Sequence, residues 1–130
     1  MKKVTYRPAT KADWVNIQKL IKLYPKQLVQ KFFPQVEEFF VALADGEVVG
    51  CCALEVYSKR LAEIRSLVVK EKYQHQGIGK KLILLCLKKA KKLKIFEVLS
   101  VTSAVGLFEH AGFDTFNNEK YAMLKVVGSG

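Results

Sequence analysis

The spacing of hydrophobic residues changes along the chain and predicts an alternation of strands and helices. Runs of alternating or continuously apolar residues are typical of strands, whereas apolar residues three or four positions apart indicate amphipathic helices. The predicted strands are Val4–Arg7, Glu38–Ala44, Glu47–Val56, Leu61–Val69, Ile95–Val101, Phe113–Phe116 and Tyr121–Val127. The predicted helices are one from Thr10 to the interruption at Pro25, then Gln27–Phe33, Gly77–Lys92 and Ala104–Ala111.

Short local signals support several of these boundaries. Thr10 and Asp13 have the spacing of a capping box, in which each residue bonds the other's main chain at a helix start. Asp45-Gly46 lies between two apolar runs and predicts a tight β-hairpin. Gly112 follows the last short helix at the position where glycine commonly ends helices.

One strand–helix–strand unit decides the fold class. Leu61–Val69, the helix Gly77–Lys92 and Ile95–Val101 form a βαβ unit, which makes its two strands parallel. The prediction is an α/β (α+β) fold. Its mixed, mostly antiparallel sheet has six to seven strands and one parallel pair, with about four helices on both faces. Residues 1–127 are expected to form one domain, and residues 128–130 a flexible tail.

Composition narrows the classes of function. The 130 residues are half hydrophobic and carry a formal net charge of +10, which favours anionic partners. Nucleic acid is disfavoured, because the lysines lack interleaved exposed aromatic residues and no helix-turn-helix or RNP pattern is present. The longest apolar run, Leu82–Leu87, is too short to cross a bilayer, so we expect a cytoplasmic protein without membrane association. The three cysteines form no CxxC or Cys/His cluster, so no metal is expected.

The segment with the clearest chemistry is a polar loop followed by a glycine-opened helix, Gln74-His75-Gln76-Gly77-Ile78-Gly79. Two glycines allow close approach of an anion, and the helix start offers unpaired N–H groups and a positive dipole end. This combination favours a pyrophosphate. Leu82 stands where a dinucleotide fingerprint needs glycine, and the loop lacks the Walker pattern. A glycine turn without a ligand is the alternative.

Four segments together resemble the GNAT acetyltransferase superfamily. They are Asp45–Cys51, Ala62–Val69, Tyr73–Leu82 and Leu107–Phe113, in the family's order and spacing. Within the superfamily, the chain is most similar to the acetyltransferase domain of N-acetylglutamate synthases. It departs from that family at Leu28–Lys31 and Thr102–Ala104, where the family tends to carry arginines that could hold a dicarboxylate.

The resemblance implies an acetyl-CoA site. The pantetheine arm would lie between splayed parallel strands and pair with the main chain of Leu67, Val68 and Val69. The diphosphate would meet the loop and helix start, with Gln74 acting through its side chain. Those residues are Gln74, His75, Gln76, Gly77, Ile78, Gly79 and Lys80. Phe108 stands where many relatives have a tyrosine, and would pack near the thioester.

Two catalytic roles follow from the same resemblance. Glu63 is the candidate general base that deprotonates the attacking amine. The main-chain N–H of Val68 or Leu67 is the candidate donor to the oxyanion.

The predicted function is acetyl-CoA-dependent transfer of an acetyl group to the primary amine of a small molecule, such as the amino acid glutamate. Three alternatives remain: a protein or peptide N-acetyltransferase, a basic nucleic-acid-binding module, and a CoA-sensing module without turnover. A homodimer is left open.

Overall fold

The computed structural model describes residues 3–26, 28, 33–115, 123, 125 and 127–128. Their strands form a single sheet in which sequence neighbours are also spatial neighbours, in the order β1-β2-β3-β4-β5. The strands are β1 Val4–Pro8, β2 Phe39–Ala44, β3 Glu47–Val56, β4 Leu61–Val69 and β5 Glu97–Leu99. The first three pairings are antiparallel and the β4–β5 pairing is parallel, which confirms the predicted mixed sheet with one βαβ unit.

Three α-helices accompany the sheet in the described residues: α1 Trp14–Lys22, α2 Ile78–Lys92 and α3 Val105–His110. Short 3₁₀ turns cover Lys11–Asp13, Val36–Glu38 and Glu71–Tyr73. The predicted helix Gln27–Phe33 and strand Tyr121–Val127 lie largely outside the described residues. Residues 113–115 belong to no strand, so the predicted strand Phe113–Phe116 is wrong over its described part, and five strands are described instead of six or seven.

The two faces of the sheet carry separate hydrophobic cores. On one face, α2 packs Leu82, Ile83 and Cys86 against the sheet, and all three are fully buried. On the other face, α1 buries Ile17 and Ile21. Burying each such aliphatic side chain contributes about 1.5–3 kcal/mol. Helices therefore lie on both faces, as predicted.

The predicted capping box and hairpin turn are both present in the structure. Asp13 accepts hydrogen bonds from the main-chain N–H of Thr10 at 2.7 Å and from the Arg7 guanidinium at 2.7 and 3.0 Å. Asp45 and Gly46 both have positive φ, 50° and 75°, as a tight hairpin turn of the I′ type requires.

A bulge interrupts β4 where the sequence predicts a regular strand. Cys51 pairs with Val68 and Ala53 with Arg65, so two residues of β4 oppose one residue of β3. Ser66, inside this bulge, has a positive φ of 56°. The bulge turns the peptide that joins Ser66 to Leu67 and thereby changes which main-chain groups face each side of the strand.

Candidate active site

The parallel strands β4 and β5 diverge soon after they begin. They pair only where Leu61–Glu63 faces Glu97–Leu99. Beyond that point the Ser100 hydroxyl donates to the Ile64 carbonyl at 3.2 Å. Divergence opens a cleft of about 700 Å³, within the usual size range of small-molecule sites. The cleft is lined mainly by Tyr24, Lys26, Leu28, residues 63–69, Gln74, residues 100–104 and Phe108.

The main chain at the end of β4 presents hydrogen-bonding groups to this cleft. The Lys70 N–H donates to the Val49 carbonyl on β3 at 2.8 Å, so the Val69 carbonyl, on the opposite side of that planar peptide, faces away from β3. By the alternation of an antiparallel ladder, the Val69 N–H and the Leu67 carbonyl also face away from β3. The same alternation directs the Val68 N–H, predicted as an oxyanion donor, toward β3.

The helix α2 begins without a side-chain cap. Gly77 occupies the N-cap position with a φ of 84°, and the first helical bond runs from the Lys81 N–H to the Gly77 carbonyl at 3.0 Å. The main-chain N–H groups of Ile78, Gly79 and Lys80 precede that bond, so they have no acceptor within the helix. A Cβ built on Gly77 would meet no heavy atom within 4 Å. The helix start is therefore open enough for an anion to approach its amides.

The residues of the predicted phosphate loop differ in whether their side chains or only their main chain can reach a ligand. His75, Gln76 and Lys80 are exposed, and His75 has a positive φ of 63°. Ile78 is buried in the core below α2, so only its main chain is available to a ligand. Packing also favours glycine at position 79, because a Cβ there would lie 3.3 Å from the Leu107 side chain of α3.

Gln74 and Tyr24 together hold the junction between β4 and the loop. The Gln74 side-chain amide donates to the Val69 carbonyl at 2.9 Å, and the Tyr24 hydroxyl lies 3.5 Å from the same oxygen. That hydroxyl also accepts the Glu71 N–H at 3.1 Å. In this arrangement the Gln74 side chain supports the main chain of the site. Sequence reasoning missed Tyr24, since it lies after α1, far from the motif.

The candidate base Glu63 lines the cleft at the point where β4 and β5 separate. Its carboxylate accepts a hydrogen bond from the Tyr57 hydroxyl at 2.5 Å. Arg65, two residues further along β4, donates to Glu55 at 2.8 Å. Tyr57 carries no motif signal and was not predicted.

Phe108 is buried in the core and its ring lines the cleft from α3. It packs edge-to-face on Phe113, with ring centroids 5.1 Å apart. A phenylalanine has no acidic proton, so this position supplies shape and no acid.

Two further findings concern metal binding and membrane spans. The described residues hold no group of three or more His, Cys, Asp or Glu side chains placed to bind a metal ion. No described helix has both the length and the apolar character that a membrane span requires.

Comparisons with known proteins agree with this geometry. The Acetyltransferase (GNAT) family model matches residues 10–113. An uncharacterized N-acetyltransferase of Chlorobaculum tepidum is 34% identical over 96 residues, which are 74% of this chain and 62% of that protein. An amino-acid acetyltransferase of Mycobacterium tuberculosis is 33% identical over 115 residues, 82% of this chain and 66% of that protein. The chain thus spans just under two thirds of the length of these two relatives.

Solved structures show the same fold. Rv2747 from Mycobacterium tuberculosis, crystallised with CoA and NLQ, superposes with a TM-score of 0.81 at 31% identity, covering 87% of this chain and 73% of that one. The N-acetylglutamate synthase of Neisseria gonorrhoeae, complexed with coenzyme A and N-acetyl-glutamate, has a TM-score of 0.77 at 24% identity. That match covers 93% of this chain and 30% of that chain, and it shows a shared fold.

The family match covers both halves of the cleft and the glycine-opened helix, and the predicted resemblance is confirmed. The chain belongs to the GNAT acetyltransferase family.

Proposed function

We propose that this chain is an acetyl-CoA-dependent N-acetyltransferase domain whose acceptor is the amine of a small molecule of the amino-acid class. The observation that carries the proposal is the divergence of β4 from β5 beside the uncapped start of α2. A cleft between two strands accommodates an extended thioester arm, and three helix-start amides next to it suit the diphosphate. The structure of Rv2747, at 31% identity, was solved with CoA.

In this proposal the cofactor is held mainly by main-chain groups. The Leu67 carbonyl and the Val69 N–H face the cleft, so an extended amide arm can pair with them as a strand would. The amides of residues 78–80 receive the diphosphate, and the exposed Lys80 adds positive charge beside it. The open space above Gly77 is where the phosphates fit.

Bound acetyl-CoA supplies a thioester whose carbonyl is attacked by the acceptor amine. Glu63 takes a proton from the ammonium, because an amine attacks only in its neutral form and α-amino groups are mostly protonated near pH 7. Its position at the fork between β4 and β5 places it at the wall of the cleft.

The oxyanion donor is best assigned to the Leu67 N–H. The Ser66 carbonyl accepts the Cys51 thiol at 3.4 Å and therefore points to the α1 face. Because N–H and C=O point in opposite directions across a trans peptide, the Leu67 N–H points away from that face. The Val68 N–H, the other predicted donor, is directed toward β3 by the strand alternation.

The acceptor class rests on the charges in the cleft. Lys26 lines it together with Glu63, so one ligand can meet a carboxylate near its ammonium and a cation near its carboxyl group. An α-amino acid carries both charges, on two groups attached to the same carbon atom. A relative that is 33% identical is named an amino-acid acetyltransferase, which supports the same class.

The test is a thiol-release assay with acetyl-CoA over matched acceptors: amino acids, their methyl esters, polyamines and short peptides. We expect turnover with free amino acids and a loss of roughly 10-fold or more in kcat/KM with the esters, since one charged contact is removed. Lys26→Met should raise KM for the amino acid. Lys22→Met, at the end of α1 and absent from the cleft lining, is the matched control.

The outcomes separate the alternatives. Faster turnover of peptides than of amino acids would move the acceptor class to proteins. Thermal stabilisation by acetyl-CoA without turnover of any amine would identify a CoA-sensing module. No stabilisation by acetyl-CoA, together with steeply salt-dependent RNA or DNA binding, would refute the proposal.

A further inference from the structure

Two carboxylates lie opposite each other on β3 and β4, and one of them, Glu63, lines the cleft. Glu63 on β4 and Glu55 on β3 are direct partners in the antiparallel register. Like charges at directly opposite positions destabilise a sheet, so this pair requires compensation. Among the described residues, the compensation comes from Arg65 and Tyr57, whose side chains contact the pair.

The Tyr57 hydroxyl joins the two carboxylates. Its oxygen lies 2.5 Å from a Glu63 oxygen and 2.9 Å from a Glu55 oxygen. A phenol carries a single proton, so it can donate to only one of them at a time. The second contact becomes a hydrogen bond only when a carboxyl group carries a proton and donates it to the phenol oxygen. These three side chains, the Glu55–Tyr57–Glu63 trio, can therefore hold one additional proton on either side of Tyr57.

Arg65 distinguishes the two ends of the trio. It donates to the same Glu55 oxygen at 2.8 Å, which stabilises the Glu55 carboxylate while Glu63 receives its hydrogen bond from Tyr57. Among the other charged groups of the described residues, Glu97 on β5 is paired with Arg60, the Glu38 carboxylate accepts the Val56 N–H at 3.3 Å, and Lys26 lies on the cleft wall.

We propose that Tyr57 positions Glu63 for catalysis and passes the proton that Glu63 takes from the acceptor amine on to Glu55. This inference rests on the proposed function. Glu63 gives the proton to the Tyr57 oxygen, and Tyr57 releases its own proton to Glu55. Glu63 returns to its carboxylate, the phenol is regenerated, and Glu55 loses the proton to solvent. No oxidant or co-reactant is needed.

The protonation state of the Tyr57 hydroxyl agrees with this role. Partial burial and the hydrogen bonds to Glu63 and Glu55 raise the pKa of Tyr57 above its ordinary value. The hydroxyl therefore keeps its proton throughout the neutral range and is always available as a donor. A phenylalanine at this position would retain the ring and lose both contacts.

The kinetic test compares the pH dependence of kcat and of KM for wild type, Tyr57→Phe and Tyr6→Phe. We expect Tyr57→Phe to lose roughly 10- to 100-fold in kcat at neutral pH, with unchanged KM for acetyl-CoA and a smaller loss at high pH. Tyr6→Phe, on β1 and outside the cleft lining, should follow the wild-type profile. An unchanged profile in Tyr57→Phe, or an equal loss at every pH, overturns the inference.

A second measurement does not depend on turnover. The ¹³Cζ resonance of labelled Tyr57 should shift as the neighbouring carboxylates titrate, and Glu63→Gln should remove a large part of that shift. A Tyr57 chemical shift that does not change at acidic pH in wild type, or that changes identically in Glu63→Gln, overturns the hydrogen-bonded connection between Tyr57 and Glu63. Absence of wild-type turnover with every amine, alongside the expected resonance shift, would instead refute the proposed function.

Discussion

Replacing Gly77 by glutamate tests the phosphate site against a matched control within the same chain. Gly77 and Gly46 both have positive φ, 84° and 75°, and a Cβ on either would meet no heavy atom within 4 Å. A non-glycine residue in this conformation costs roughly 1–2 kcal/mol. Gly77→Glu and Gly46→Glu should therefore destabilise the fold by similar amounts. Only the first places a carboxylate above the amides that start α2.

The effect on binding follows from Coulomb's law. A unit charge about 5 Å from one phosphate charge costs about 1 kcal/mol at a dielectric constant of 80 and about 3 kcal/mol at 20. The Kd for acetyl-CoA should therefore rise roughly 5- to 150-fold for each phosphate charge that lies this close to the new carboxylate. Gly77→Gln has nearly the same volume without the charge and should lose clearly less.

Isothermal titration of the wild type and the three variants with acetyl-CoA, with thermal melts alongside, measures both effects. We expect matched melting temperatures for Gly77→Glu and Gly46→Glu, and a weakened Kd in the former alone. An unchanged Kd in Gly77→Glu, or an equal loss in Gly46→Glu, would show that the diphosphate is not held at this helix start.

Three further predictions concern stability and the base. The Arg7 side chain lowers the pKa of the buried Asp13 from 3.8 to about 2, which contributes about 2 kcal/mol above pH 4 that is lost as the pH falls through 2. Asp13→Asn should therefore lower Tm by roughly 5–10 °C at pH 7 and flatten its dependence on acid; an unchanged Tm contradicts this. Gly50→Ala places a Cβ 3.2 Å from the Val68 main-chain oxygen and 3.3 Å from Leu82 on α2, and should cost about 1–3 kcal/mol in chemical denaturation; unaltered stability would show that both neighbours move aside at little cost. Glu63→Gln should lower kcat more at neutral than at high pH in the thiol-release assay, and an equal loss at both would exclude a base role.

Much of the fold was predictable because its signals are local. The Asp45-Gly46 turn, the capping box of Thr10 and Asp13 and the helical spacing of α2 each involve residues close together in sequence. Such patterns predict an element without knowledge of its neighbours. The βαβ unit followed from the order of these elements, since a helical crossover makes its strands parallel.

The site was predictable only in part. The glycine-opened start of α2 is a local feature, and the structure shows it uncapped and accessible. The bulge at Ser66 was not predicted, because serine has no preference for positive φ and the bulge exists only as a mismatch between two paired strands. That mismatch decides which amides of β4 face the cleft.

The sequence alone determined the order of most of the described strands and helices, which of their faces are apolar, and that a helix starts at a glycine suited to an anion. Only the tertiary structure decided how far β4 and β5 pair before they diverge, and hence where the cleft opens. It also brought Tyr57 between Glu55 and Glu63. These contacts join residues on different strands, so they depend on pairing register and strand twist, which no short stretch of sequence encodes.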